Sequence, residues 1–313
     1  MAPPLIHIGY HRTGTTWFQE RFYPAVANGF LVPRKTARAA IIQPAAFAFS
    51  VAEARRELGP DDRPGRLLIC EENLSGYLHN GGLNGLVSKE VAGRLHQLFP
   101  EASLVVFLRS QPRMVEAAYA QYVKGGGTHS IETYVRGNSK GGGIRRHWYK
   151  APRFTLDHFR YAPLLDHYAS LFGRRDVHVY LYEQFAADPR AFCAAFAAEH
   201  GLTVDLERID WGRLNPSLAP RQTRILRRLN LFTKRSVPDK RFILDIDDWY
   251  ERRWRWLARL DNWVGASEQP LLTDQLRATI ADRFRDSNQA LAEAWGLPLG
   301  QYGYPLTEGT SAA

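Results

Sequence analysis

The run Leu5-Ile6-His7-Ile8-Gly9 constrains this chain more than any other feature. It is short, apolar and bounded by Pro4 and Gly9, which is the pattern of a buried strand. A polar turn containing Gly and Thr follows, from Tyr10 to Thr16. The next residues, Trp17-Phe18-Gln19-Glu20-Arg21-Phe22-Tyr23, have helical character and stop near Pro24. Strand, glycine-containing turn and helix in this order make a βα unit of the kind whose turn can cradle an anion.

Three further strands are expected. Arg66–Cys70 ends in the acidic pair Glu71-Glu72, Ser103–Leu108 ends at Arg109, and Asp176–Tyr182 ends at Glu183. Between the first two lies an amphipathic stretch, Ser88–Phe99, that reads as a crossover helix. Strands alternating with helices predict an α/β fold: a central parallel sheet in three layers, flanked by helices, with a C-terminal helical region. The polar groups of interest all follow strand ends, where open α/β sheets place their ligands. We find no internal repeat. The expected organisation is a single domain over 1–306, a candidate helical subdomain at 215–270 and a flexible tail at 307–313. A loop bracketed by the glycine triplets 125–127 and 141–143 reads either as a mobile element near a site or as a plain linker.

Composition narrows the function classes. In 313 residues, 41 Lys+Arg stand against 32 Asp+Glu, a formal net charge of +9. The basic residues are scattered, and the sequence carries no helix-turn-helix, zinc-finger or RNA-binding pattern. It therefore favours a small anionic ligand over nucleic acid. Two cysteines, Cys70 and Cys193, make no disulfide framework and no zinc spacing. The N-terminus has no basic segment or long apolar run, so we expect no signal peptide and a cytoplasmic location. No stretch is long enough to span a bilayer.

The segment Gly9-Tyr10-His11-Arg12-Thr13-Gly14-Thr15-Thr16-Trp17 carries the most specific chemistry. A turn entering a helix offers unpaired N–H groups and the positive end of the dipole. Gly14 permits close approach, the three threonines offer hydroxyls, and Arg12 adds a fixed charge with a fork of donors. It is not a Walker A loop, because GxxxxGK[ST] is absent. No motif calls for a metal. The plainer reading is an ordinary βα turn with threonine caps.

His11-Arg12-Thr13-Gly14-Thr15-Thr16 resembles the 5′-phosphosulfate loop of the sulfotransferases that use 3′-phosphoadenosine 5′-phosphosulfate (PAPS). Bacterial members read His-Lys-Thr-Gly-Thr-Thr, so Arg12 stands at the family's lysine position. It supplies charge and hydrogen bonds but cannot donate a proton at neutral pH. Arg109-Ser110 resembles the family's 3′-phosphate motif, which places an Arg at a strand end and a Ser eight positions on. That second position is Ala117 here, which removes one expected contact. Glu71-Glu72-Asn73 follows the second strand. Bacterial relatives read Ser-Glu-Asn there, which selects Glu72 over Glu71 as the base for the acceptor proton. His11 is the rival base.

The resemblance implies Glu72, Arg12 and His11 as catalytic residues. It implies donor contacts from Arg12, Thr13, Gly14, Thr15, Thr16, Trp17, Arg109 and Ser110, and more weakly from Ser217 and Arg221. Glu183 matches a Tyr-Glu segment and reads as structural. The implied activity is in-line transfer of a sulfuryl group to a hydroxyl or amine, with adenosine 3′,5′-bisphosphate as product. Acceptors of small-molecule, glycan or lipid-linked type are compatible. A kinase-like nucleotide-dependent transferase and a non-catalytic nucleotide-binding partner are the alternatives. Trp249, Trp254, Trp256 and Trp263 interleave with Arg252, Arg253, Arg255 and Arg259 in an amphipathic pattern. They suit a packed helix with a basic face, an acceptor wall or a peripheral membrane contact. Oligomeric state is not readable.

Overall fold

The structure, a computed structural model, describes residues 2–59, 64–136, 154–212, 214, 218–233 and 270–307. The chain divides into two compact units. The first comprises 1–110, 146–214 and 284–313, and the second 111–145 and 215–283.

The first unit is built on a five-stranded parallel sheet. Its strands are β1 (Leu5–Gly9), β2 (Gly29–Leu31), β3 (Arg66–Cys70), β4 (Ser103–Leu108) and β5 (Val177–Leu181). The order is β2-β3-β1-β4-β5, so β1 lies at the centre between β3 and β4. All five β1 residues are buried, as the unbroken apolar run requires of a strand covered on both faces. The four expected strands are present, and the parallel sheet with flanking helices is the expected fold class. Only β2 was not foreseen.

Register sorts the side chains. His7 pairs with Cys70 on one side and Val105 on the other. One face therefore carries Leu5, His7, Leu68, Cys70, Val105 and Phe107. Over it pack Trp17 of α1 (Thr15–Trp17), Phe18 and Phe22 of the π-helical turn that continues it, Phe185 of α8 (Tyr182–Ala187) and Phe196 of α9 (Pro189–Glu199). His7 is fully buried in this aromatic layer, stacked on Phe107 at 4.9 Å and edge-on to Phe18 at 5.3 Å. Burial drives its pKa down to about 3, so it is a neutral ring in an apolar core. On the other face, α7 (Tyr161–Phe172) packs against β5 and α4 (Leu86–Leu98) against α7.

Helix starts follow local chemistry. Ser50 accepts from the Glu53 N–H ahead of α3 (Val51–Leu58). Asp188 accepts from the Ala191 N–H ahead of α9, whose first residue is Pro189.

The second unit contains α5 (Gln111–Lys124), α6 (Ile131–Arg136), α10 (Pro220–Thr233) and the opening turns of α11 (Asp274–Trp295). Buried Asn230 of α10 donates to the Val123 and Gly127 carbonyls, both at 2.8 Å, and so caps the C-terminal end of α5. Among the described residues, no helix is long and apolar enough to cross a membrane. The Trp/Arg segment of 249–263 and most of the 307–313 tail lie outside the described residues.

Phe18 is fully buried and touches the rings of His7, Phe22, Phe107 and Phe196. Phe18→Ala should cost about 3–5 kcal/mol in chemical denaturation, the usual cost of deleting a buried ring. A loss below 1 kcal/mol would show that this aromatic layer does not hold the sheet.

Candidate active site

The turn after β1 begins with a tight approach. Gly9 has φ +113, and a Cβ there would lie 3.1 Å from the Glu72 carbonyl oxygen and 3.2 Å from its Cα. The glycine thus lets the end of β1 press against the turn after β3. Gly14 has φ +89 and precedes α1, where a Cβ would sit 3.2 Å from the Phe185 ring. Between them Arg12 adopts φ 61, a left-handed conformation rare for a branched-free cation and costing on the order of 1 kcal/mol or more.

The loop is held by its own threonines. The Thr13 and Thr15 hydroxyls both donate to the Tyr10 carbonyl, at 2.5 and 3.1 Å. Their protons shape the turn, while Thr16 is half-buried and free of any such bond. Trp17 is buried among Phe18, Phe185 and Trp211, which makes its indole a core group in this structure.

Arg109 reaches the loop from the end of β4. Its Nη1 donates to the Arg12 carbonyl at 2.8 Å, and its guanidinium lies over the Tyr182 ring at 4.7 Å. Its Nε is buried with no hydrogen-bond partner among the described residues. The two guanidiniums repel one another: burial lowers the Arg12 pKa first, and the charge of Arg109 lowers it further. Two partly buried cations beside a turn of backbone amides form a site that gains from an anion. Glu183 supports this corner by accepting from the Ser110 N–H at 3.0 Å and the Tyr304 hydroxyl at 3.3 Å. That is the structural role expected of it.

The acidic pair splits in two. Glu71 is fully buried and accepts from the Asn73 backbone and side-chain N–H groups at 3.0 and 2.5 Å. It is ion-paired with Arg34 and Arg38, each at 2.8 Å. Burial alone would raise its pKa, yet these partners together hold it below the usual carboxylate range. Glu72 is partly accessible and ion-paired with Arg34, with Arg38 at 3.6 Å. Gln19 Nε2 approaches its other oxygen at 3.5 Å. Burial and the charge of Glu71 raise the Glu72 pKa, making it the more basic of the two.

His11 is linked to this cluster through Asn73. The Asn73 amide donates to Glu71, so its oxygen faces His11 Nε2 at 3.0 Å. That assigns the proton to Nε2 and leaves Nδ1 as a buried acceptor with no partner. Burial lowers the His11 pKa to about 4. His79, at about 4, and His158, at about 3, are lowered mainly by burial and further by their neighbours' charge. His158 leans on Tyr10, with ring centres 5.3 Å apart.

The first unit therefore gathers His11, Arg12, Thr13, Gly14, Thr15, Thr16, Glu72, Arg109 and Ser110 around neighbouring strand ends. Arg221 is exposed on α10 and Ala117 buried on α5, both in the second unit. Ser217 lies outside the described residues. Sequence reasoning gave no role to Arg34, Arg38, Asn73, His79, His158 or Tyr182. A signal existed for the first two, because Arg34 and Arg38 are four residues apart and fall on one face of a helix.

No family model matches the sequence, and no curated protein matches it. Solved structures similar to it include a sulfotransferase from Alicyclobacillus acidocaldarius, with 20% identity and a TM-score of 0.48, covering 69% of this chain and 87% of that one. Mouse sulfotransferase SULT7A1 complexed with PAP is similar at 12% identity and a TM-score of 0.40, covering 94% and 87%. At such identities and scores the functional reading rests on the site's own residues.

Two outcomes follow. Replacing both Arg34 and Arg38 by Ala strands a buried carboxylate and should destabilise the protein by about 3–5 kcal/mol in urea. Adding Glu71→Gln to that pair should recover part of the loss; no recovery would place the damage elsewhere. Second, His7, His11, His79, His158 and His200 all have folded pKa values below the ordinary 6.5. The unfolded chain then takes up protons first, so stability is intact above about 6.5 and declines as pH falls toward 4. The melting temperature should drop steadily over that window; a flat profile would contradict neutral burial.

Proposed function

We propose that the protein is a sulfotransferase that moves a sulfuryl group from PAPS to an acceptor hydroxyl or amine. The observation that carries this reading is the Arg12–Arg109 pair. Two mutually repelling, partly buried guanidiniums meet at the glycine turn after the central strand, and Arg12 is held there in a left-handed conformation. Such strain and repulsion are offset by an anionic ligand. The resemblance of His11–Thr16 to the phosphosulfate loop names that ligand, and the buried, unpartnered Arg109 Nε suits a 3′-phosphate.

In this mechanism an acceptor oxygen or nitrogen forms a bond to sulfur as the bond from sulfur to the bridging phosphate oxygen breaks. The electron pair of the broken bond stays on the departing adenosine 3′,5′-bisphosphate. Arg12, the loop amides and Thr16 stabilise the negative charge growing there. Glu72 takes the acceptor proton; its raised pKa favours that task, and Arg34 fixes one of its oxygens. His11, neutral and hydrogen-bonded to Asn73, orients the turn that carries Glu72.

Calorimetric titration should show binding of adenosine 3′,5′-bisphosphate in preference to 5′-AMP and magnesium ATP. Arg109→Ala should weaken it about 10- to 100-fold, the worth of a hydrogen bond to a charged group. Binding of magnesium ATP alone would favour a kinase-like transferase instead. Glu72→Gln should lower turnover about 10²- to 10⁴-fold with little change in donor affinity. Bisphosphate binding with no turnover on any acceptor would instead indicate a binding protein.

A further inference from the structure

The second unit carries an open pocket of about 500 Å³, within the range of small-molecule sites. Its lining includes Tyr119 of α5, Ser130 and Glu132 at and near the start of α6, Arg224 and Arg227 of α10, and Thr273 ahead of α11. Arg224 and Arg227 are one turn apart and both half-buried. Arg224 is anchored by donating to the Pro270 carbonyl at 2.8 Å. Arg227 has no hydrogen-bond or ion-pair partner among the described residues, and neither does half-buried Glu132.

Partly buried charges of opposite sign in one cavity would neutralise each other if their side chains could meet. No ion pair joins Arg227 to Glu132 among the described residues, and the pocket is lined by charges of both signs, Arg224 and Arg227 with Glu132 and Asp274. Tyr119 sits beside them, its hydroxyl donating to the His129 carbonyl at 2.9 Å. Burial pushes its phenol up to about 12 despite the nearby arginines, so it remains a neutral wall.

We infer that this pocket binds a small molecule that carries both an anionic oxyacid group and hydrogen-bond donors, hydroxyl or ammonium. The oxyacid meets Arg227, whose planar fork suits two of its oxygens. The donors meet Glu132. This inference stands independently of the sulfuryl-transfer reading, because it uses only residues of the second unit.

The test is calorimetric titration of the full chain with glucosamine 6-phosphate, glucose 6-phosphate and glucose. Affinity should fall in that order, with at least a tenfold step between the phosphorylated sugars and glucose. Arg227→Gln should abolish the phosphate step, and Glu132→Gln should abolish only the step between the amino sugar and its hydroxyl counterpart. If Arg227→Gln fails to fold, Arg227→Lys provides the reading, retaining the charge but losing at least threefold in affinity. Failure of all three probes to bind, equal binding of phosphorylated and neutral sugars, or unchanged affinity in the Arg227 variant would each overturn the proposal.

Discussion

A fully buried carboxylate has to be paired, and the way Glu71 is paired organises this site. Taking a carboxylate out of water costs several kcal/mol unless hydrogen bonds and opposite charge replace the water. Glu71 receives both, from two arginines of the segment after β2 and from both N–H groups of Asn73. Each partner is thereby fixed in turn. Asn73 is oriented and so sets the proton of His11. Arg34 is oriented and so holds Glu72, the more basic neighbour. One desolvated charge thus ties the ends of β1 and β3 and the helical segment after β2 into a single arrangement.

The corner formed by Arg12 and Arg109 is built on the opposite principle. There, the like charges of Arg12 and Arg109 are brought together. Arg109 is oriented by the Arg12 carbonyl and the Tyr182 face, neither of which cancels its charge. The threonine hydroxyls fold the turn by bonding to Tyr10. The turn is therefore shaped by its own hydrogen bonds.

Much of this was legible in the sequence because it depends on local pattern. The apolar runs at 5–9, 66–70, 103–108 and 177–181 are strands buried on both faces, and such strands read as unbroken apolar segments. β2 escaped because three residues of an edge strand carry no periodicity. The loop and its glycines were legible because a turn needing φ > 0 restricts residue type. The partners of the glutamates were not, because Arg34 lies 37 residues from Glu71, and only the β2–β3 pairing brings the two segments together. His158 was hidden for the same reason. Glu71 and Glu72 are both held by the same two arginines.

The Glu183 bridge bears on how the molecule comes together during synthesis. Its two oxygens join the amide after β4 to the hydroxyl of Tyr304, more than a hundred residues later in the chain than Glu183. The strand-end corner that carries Arg109 thus lacks one of its supports until Tyr304 has left the ribosome. All five strands precede residue 182, whereas the corner needs Tyr304. Clipping of the C-terminal segment by a protease would then act at a distance, loosening the Arg109 corner while leaving the sheet intact.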